Sequence, residues 1–208
     1  MNKYGYTSEE TELFKRLNTP ARIQDYINSL PFNFEEKGET CMSPREVLKA
    51  KKAHCMEGAL LAGAILEFHG HKPIVLDLRS VKKPFDYDHV LALFKVEGFF
   101  GSISKTNHAV LRYREPVYKS VRELVMSFFH EYFSEDGRKT LREYSNPLHL
   151  SRFNRIAWRT SEDDLFEIPD FLDQMKHHKI LSHKQIKGLR KLDLIEIKAS
   201  WEEEYKNS

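Results

Sequence analysis

A cysteine and a histidine in this sequence occupy positions from which a thiol could act as a nucleophile. Cys55 lies where the charged run LKAKKAH gives way to the apolar stretch CMEGALLAGAIL. If that stretch is a helix, Cys55 is at its N-terminus, where unpaired backbone N–H groups and the helix dipole favour a thiolate. The same N–H groups can stabilise the oxyanion that forms during acyl transfer. The position predicts an activated thiol, with a small buried core residue as the alternative.

A thiolate nucleophile also needs a proton acceptor, and His89 is the candidate for that role. His89 lies at the start of DHVLALFKV, which has the apolar and β-branched composition of a strand. Because side chains alternate along a strand, His89, Leu91 and Leu93 share one face. If this face packs against the apolar helix, His89 can reach Cys55. The alternative is a hydrogen-bonded histidine at a strand end.

The elements around these residues predict an α+β fold. The apolar helix should run over 55–69, end at Gly70 and be buried on all sides. Strands follow over 72–79, 88–96 and 97–105, with a tight turn at Glu97 and Gly98, and HAVLRYR (108–114) extends or covers the sheet. We expect a core with N-terminal helices over 1–135 and a helical extension over 136–208 that packs on it.

The order of these features resembles the transglutaminase-like superfamily, whose core is papain-like. The resemblance rests on SPREVLKAKKAHCMEGALLAGAILEFHGHKPIVLDL, DHVLALF and GFFGSISKTNHAVL, and covers about residues 19–115. It implies a central buried helix packed on an antiparallel sheet, with Cys55 as the nucleophile and His89 as the base. The family usually has an aspartate on the following strand, where this sequence has Ser104. Asn107 is a second candidate to orient the imidazole, as an asparagine does in papain-like proteases.

The function implied by the resemblance is thiol-dependent acyl chemistry, either hydrolysis or transfer at an amide or ester. The substrate would be a peptide, a protein or a small molecule, and no cofactor is expected. Because a serine hydroxyl carries no charge, Ser104 would stabilise an imidazolium less than an aspartate would. The alternative is a catalytically weakened protein that binds a peptide or protein partner in the same cleft. Ser104 as an ordinary strand residue and Asn107 as a turn residue also stay open.

Composition argues against several other classes of protein. The 33 basic residues are balanced by 31 acidic ones, so the net charge of +2 gives no general attraction to nucleic acid or to an anionic membrane. No CxxC or HExxH spacing predicts a metal site. No apolar run has the length of a membrane span. We therefore expect a soluble, cytoplasmic protein whose two cysteines are free thiols.

Overall fold

The computed structural model describes residues 4–83, 86–200 and 202–206. Its architecture is a mixture of helices and antiparallel sheet, as expected for the α+β class. The helices are α1 (Ser8–Arg16), α2 (Pro20–Ser29), α3 (Pro44–Ala50), α4 (Cys55–Phe68), α5 (Val121–Phe128), α6 (Glu167–Gln174), α7 (His183–Lys187) and α8 (Leu194–Ser200), and a 3₁₀ helix spans Leu150–Ile156. The strands are β1 (Ile74–Arg79), β2 (His89–Val96), β3 (Phe99–Ser104), β4 (Arg114–Tyr118), β5 (Glu143–Ser145), β6 (Leu148–His149) and β7 (His177–Lys179).

Within the described ranges, the seven strands form one antiparallel sheet in the order β4-β3-β2-β1-β5-β7, and β6 also pairs with β1. The tight turn predicted between β2 and β3 is confirmed, since Glu97 and Gly98 both have positive φ angles, of 50° and 88°. Strand β1 pairs with β2 along one edge and with β5 and β6 along the other. These two short strands bond to backbone groups of β1 that would otherwise form an open sheet edge.

The prediction that 136–208 is helical is wrong for three segments, because β5, β6 and β7 belong to the sheet. Each has only two or three residues, too few for the alternation of polar and apolar residues that identifies a strand. The fourth strand also begins at Arg114, after most of the predicted 108–114 segment. The division of the chain near residue 136 stays a prediction.

Helix α4 is the centre of the fold, as the sequence predicts. The Glu57 carboxylate accepts the backbone N–H of His54, the N-cap residue, at 3.0 Å. Gly70, with a φ of 88°, ends the helix, and the N–H of His71 then donates to the Leu66 carbonyl at 3.0 Å. Every residue from Met56 to Leu66 is buried. The helix is thus held by tertiary packing on all sides, not by one amphipathic face.

The two faces of the sheet carry separate apolar clusters. Val90, Ala92 and Phe94 of β2 pack in the cluster that contains α4. Leu91 and Leu93 pack on the other face, in the cluster that contains residues of α5. The condition under which His89 was expected to reach Cys55, packing of the face of Leu91 and Leu93 against the apolar helix, is therefore not met, because the pleat turns the intervening residues toward α4.

Among the residues that the structure describes, none of the helices combines the length and the apolarity that crossing a membrane requires.

The first turn of α4 leaves no room for a side chain at Gly58. A Cβ atom there would lie 2.5 Å from Cβ of Lys105, whose stem is fixed close to its backbone. We expect Gly58→Ala to lower the free energy of unfolding by about 1–3 kcal/mol, because overpacking outweighs the better helix propensity of alanine. Urea denaturation measures the change.

The matched control is Gly63→Ala in the same helix, where the nearest atom is the flexible end of Leu150 at 3.1 Å. This variant should change the unfolding free energy by less than about 1 kcal/mol. Equal stability of the two variants would contradict the close packing of Lys105 on α4.

Candidate active site

Three of the predicted site residues lie at the ends of elements that meet in space. Cys55 is the first residue of α4, His89 the first of β2 and Ser104 the last of β3. His89 and Ser104 are buried, whereas Cys55 is half-buried. His89 lies beside the Cys55 thiol, and its hydrogen-bonding capacity and charge lower the pKa of that thiol. Cys55 and His89 therefore meet at the end of the sheet and not across its α4 face, so their contact does not require the face of Leu91 and Leu93 to pack against α4.

Ser104 fixes the orientation and the tautomer of the His89 imidazole. Its hydroxyl donates to the Leu111 carbonyl at 2.5 Å, so its oxygen must accept from Nε2 of His89, which lies 2.7 Å away. Nε2 then carries a hydrogen, and Nδ1 is left to exchange a proton with Cys55.

Asn107 does not orient the imidazole, and that part of the sequence prediction is wrong. Its side-chain Nδ2 donates to the carbonyl of Tyr205 at 2.8 Å, and its Oδ1 accepts the N–H of Tyr205 at 2.9 Å. Both polar atoms are thus used by a residue 98 positions away, a pairing that no local pattern could have revealed.

His54 is a site residue that the sequence analysis did not select. This imidazole also lies beside Cys55 and lowers the pKa of its thiol. Nε2 of His54 lies 3.0 Å from the carbonyl of Thr40 and 3.4 Å from a Glu57 carboxylate oxygen. The available signal was local: a histidine directly before the thiol, with a glutamate three residues further on, is a capping pattern for α4.

Nδ1 of His54 has a different partner in each protonation state. In the neutral imidazole it accepts the N–H of Met56 at 3.3 Å and caps the helix, whereas in the imidazolium it can donate to the thiolate. Burial opposes the charged form, but the hydrogen bond and charge of Cys55, with the charge of Glu57, raise the pKa of His54 to about 9.

The two thiols of the chain have opposite ionisation behaviour. Burial opposes ionisation of Cys55, but hydrogen bonds from His54 and His89 outweigh it and lower the pKa of this thiol to about 5. Burial and the nearby carboxylates of Glu57 and Asp164 raise the pKa of Cys41 well above its ordinary value. At neutral pH, Cys55 is a thiolate and Cys41 a buried neutral thiol.

A cleft of about 650 Å³ opens onto Cys55, His54 and His89. One part of its lining is aromatic and includes Phe32 and Phe34, whose rings are in edge contact with centroids 5.2 Å apart. Acidic and basic side chains line other parts: Glu35, Asp86, Asp88, Lys105, His108, Glu131, Glu135 and Glu203. The cleft is large enough for several residues of a peptide or for a small molecule.

One group of three carboxylates in the described residues has the spacing of metal ligands, with oxygens of Asp77, Asp88 and Asp173 within 4.8 Å of one another. The Arg79 guanidinium already lies between them, at 3.9, 3.9 and 3.3 Å respectively. The three carboxylates and Arg79 therefore form an ion-pair network. Among the residues that the structure describes, the side chains around Cys55 do not form a group with the spacing of metal ligands.

No protein-family model matches this sequence, and a search of curated proteins finds no significant match.

The ionisation of Cys55 predicts its alkylation by iodoacetamide. In a Cys41→Ala background, the rate should rise to half its maximum near pH 5 and stay high above it, because the thiolate is present above its pKa of about 5. Stopped reactions analysed by intact-protein mass give the rate at each pH. Half-maximal alkylation near pH 8.5, the value of a free thiol, would contradict the paired thiolate.

The two histidines can be separated by substitution. His54→Ala and His89→Ala should each raise the pH of half-maximal alkylation by about one to two pH units, since each removes one hydrogen bond to a charged sulfur. His130→Ala, at an exposed histidine outside the lining of this cleft, is the matched control and should leave the profile unchanged. If only one of the two site variants shifted the profile, the other histidine would not be a partner of the thiolate.

Proposed function

We propose that this protein performs thiol-dependent acyl chemistry, with Cys55 as the nucleophile and His89 as the general acid and base. The observation that carries the proposal is the chain of contacts from the half-buried thiolate to His89, and from Nε2 of His89 to Ser104 at 2.7 Å. A nucleophile, a base and an orienting group in this order are the parts that acyl transfer requires.

In the first half of the reaction, the Cys55 sulfur attacks the carbonyl carbon of an amide or ester and forms a tetrahedral oxyanion. The backbone N–H of Cys55 is at the first position of α4, where no intrahelical acceptor is available to it. It can therefore donate to that oxyanion. His89 then gives a proton from Nδ1 to the leaving amine or alcohol, and the bond between carbonyl carbon and leaving group breaks to leave a thioester.

In the second half, an acyl acceptor attacks the thioester while His89 takes its proton at Nδ1. The bond between the carbonyl carbon and the Cys55 sulfur then breaks, and the thiolate is restored beside the protonated His89. Water as the acceptor makes the reaction a hydrolysis, and an amine makes it a transfer. The Ser104 oxygen stays on Nε2 throughout and holds the ring in place, but it supplies no negative charge. His54, whose pKa is raised to about 9, stabilises the thiolate before the attack and takes no part in the proton transfers.

A transglutaminase-like core is part of the same proposal. It is supported by the central buried helix that begins with Cys55, the antiparallel strands that follow, and a histidine at the start of one of them. The chain departs from the family pattern at Ser104, where a neutral hydroxyl takes the position of the usual acid. Its additional strands β5 to β7 extend the sheet beyond β1.

The second candidate function is binding of a peptide or protein partner in the cleft without turnover. Two observations favour it: the neutral Ser104 beside His89, and the segment 202–206, which lies at the cleft through Glu203. Detection of an acyl-enzyme separates the two candidates.

The test is single-turnover acylation by p-nitrophenyl esters at pH 7. The protein should release one equivalent of p-nitrophenol in a burst and gain one acyl group on Cys55 by intact-protein mass. Cys55→Ala should abolish the adduct. Ser104→Ala should reduce the acylation rate by about 10–100-fold, because His89 loses the group that positions it.

A thiolate with no base would also react slowly with an activated ester, so His89→Ala is the control. We expect it to retain the slow reaction and to lose the burst. A burst that is the same in His89→Ala and Ser104→Ala as in the unaltered chain would exclude general-acid–base catalysis and favour the binding function.

A further inference from the structure

The segment 202–206 lies as a short antiparallel strand against residues 107–109. The N–H of Ala109 donates to the carbonyl of Glu202 at 3.0 Å, and the N–H of Glu204 donates to the carbonyl of Asn107 at 2.9 Å. His108 and Glu203 form the bridge pair between these two bonds. The contact is therefore made by main-chain pairing, the way in which extended peptides are recognised at strand edges.

The buried side chain of Asn107 extends this pairing by one residue. Its two hydrogen bonds to the backbone of Tyr205, at 2.8 and 2.9 Å, imitate those of a neighbouring strand. They contact only main-chain atoms, so they would be available to any extended chain in this position. Such an amide is a recognition element for a peptide backbone.

Cationic groups flank the same edge. Arg112 pairs with the carboxylate of Glu204 at 3.2 Å. The ammonium of the buried Lys105 donates to the Leu30 carbonyl and lies 5.4 Å from the centre of the Tyr205 ring. The segment that covers these groups reads EEEYK. The positive charge on the edge is thus complementary to the carboxylate of Glu204 in its occupant.

The occupied edge borders the thiol cleft. Glu203 of the segment and Ser200 before it line the same cavity as Cys55 and His89. An extended chain that replaced the segment and continued along the cleft would therefore reach the nucleophile.

From this geometry we propose that residues 105–112 form a binding site for extended acidic peptides, and that the chain's own segment 202–206 occupies this site as an internal competitor. The expected ligand is an acidic, extended region of a peptide or protein. Whether that ligand is also a substrate rests on the proposed acyl chemistry. Because a tethered segment has an effective concentration of about millimolar, an external peptide binds well only when the segment has left.

The binding test uses a fluorescein-labelled peptide, EEEYK, and a chain that ends at Ser200. By fluorescence anisotropy, the shortened chain should bind the peptide at least about tenfold more tightly than the full chain, because internal competition is removed. Asn107→Ala in the shortened chain should weaken binding about tenfold through the loss of two hydrogen bonds. The matched peptide QQQYK should bind more weakly than EEEYK, with a difference that shrinks as salt is added.

Equal affinity of the full and shortened chains, or no binding by a shortened chain whose circular dichroism and thermal transition match those of the full chain, would overturn the proposal. QQQYK binding as tightly as EEEYK would overturn the acidic preference. None of these readouts requires turnover. Peptide binding without an acyl-enzyme would therefore reject the proposed chemistry and leave the peptide site standing.

A second measurement uses the full chain, and it tests the proposal even if the shortened chain does not fold. Asn107→Ala should speed hydrogen exchange at the Glu204 amide and increase alkylation of Cys55 by a bulky maleimide more than by iodoacetamide. Asn18→Ala, an exposed asparagine in the loop between α1 and α2, is the matched control. Unchanged exchange and alkylation in Asn107→Ala would show that the segment does not restrict the cleft.

Discussion

The candidate site depends on one buried carboxylate, that of Glu57 in the first turn of α4. It accepts hydrogen bonds from the side chains of Asn33 and Thr40 and from the backbone N–H groups of Met42 and His54. Four donors compensate the cost of removing this group from water. Its charge also suits the positive end of the helix. The loop before α3, the N-cap and the first turn of α4 are thereby fixed together, and with them the position of Cys55.

On that fixed helix start, the ionisation of the thiol is decided by competition between burial and hydrogen bonding. Burial alone would favour the neutral thiol, as it does at Cys41. At Cys55 the hydrogen bonds of two imidazoles act in the opposite direction and prevail. One imidazole is adjacent in sequence and is supported by Glu57, whereas the other comes from the sheet. The site therefore lies where the N-terminus of α4 contacts the end of the sheet.

The Ser104 hydroxyl makes two hydrogen bonds of opposite direction, one to His89 and one to Leu111. A carboxylate at this position could accept from His89 but could not donate to the carbonyl of Leu111. The hydroxyl does both, and so it connects the imidazole to the loop that contains Leu111. Leu111 has a positive φ angle of 62° in this loop. The same loop begins with the residues that hold segment 202–206. Orientation of the His89 imidazole and occupancy of the cleft edge are thus linked through one short stretch of chain.

The sequence by itself determined the local features of this protein. The bounds of α4, its end at Gly70, the turn at Glu97 and Gly98 and the positions of Cys55 and His89 at element starts all follow from caps, turn residues and apolar runs of adjacent residues. Each of these signals is made by residues within a few positions of one another, so it can be identified from the sequence alone.

Only the tertiary structure decided which groups meet. The short strands β5 to β7, the face of β2 that packs on α4, and the pairing of Asn107 with Tyr205 each join residues far apart in the chain. His54 carries a local capping pattern, but its role as a partner of the thiolate depends on the burial and the charges around it. These outcomes follow from competition among many possible packings, in which burial of apolar surface and satisfaction of buried polar groups are decided for the whole molecule at once.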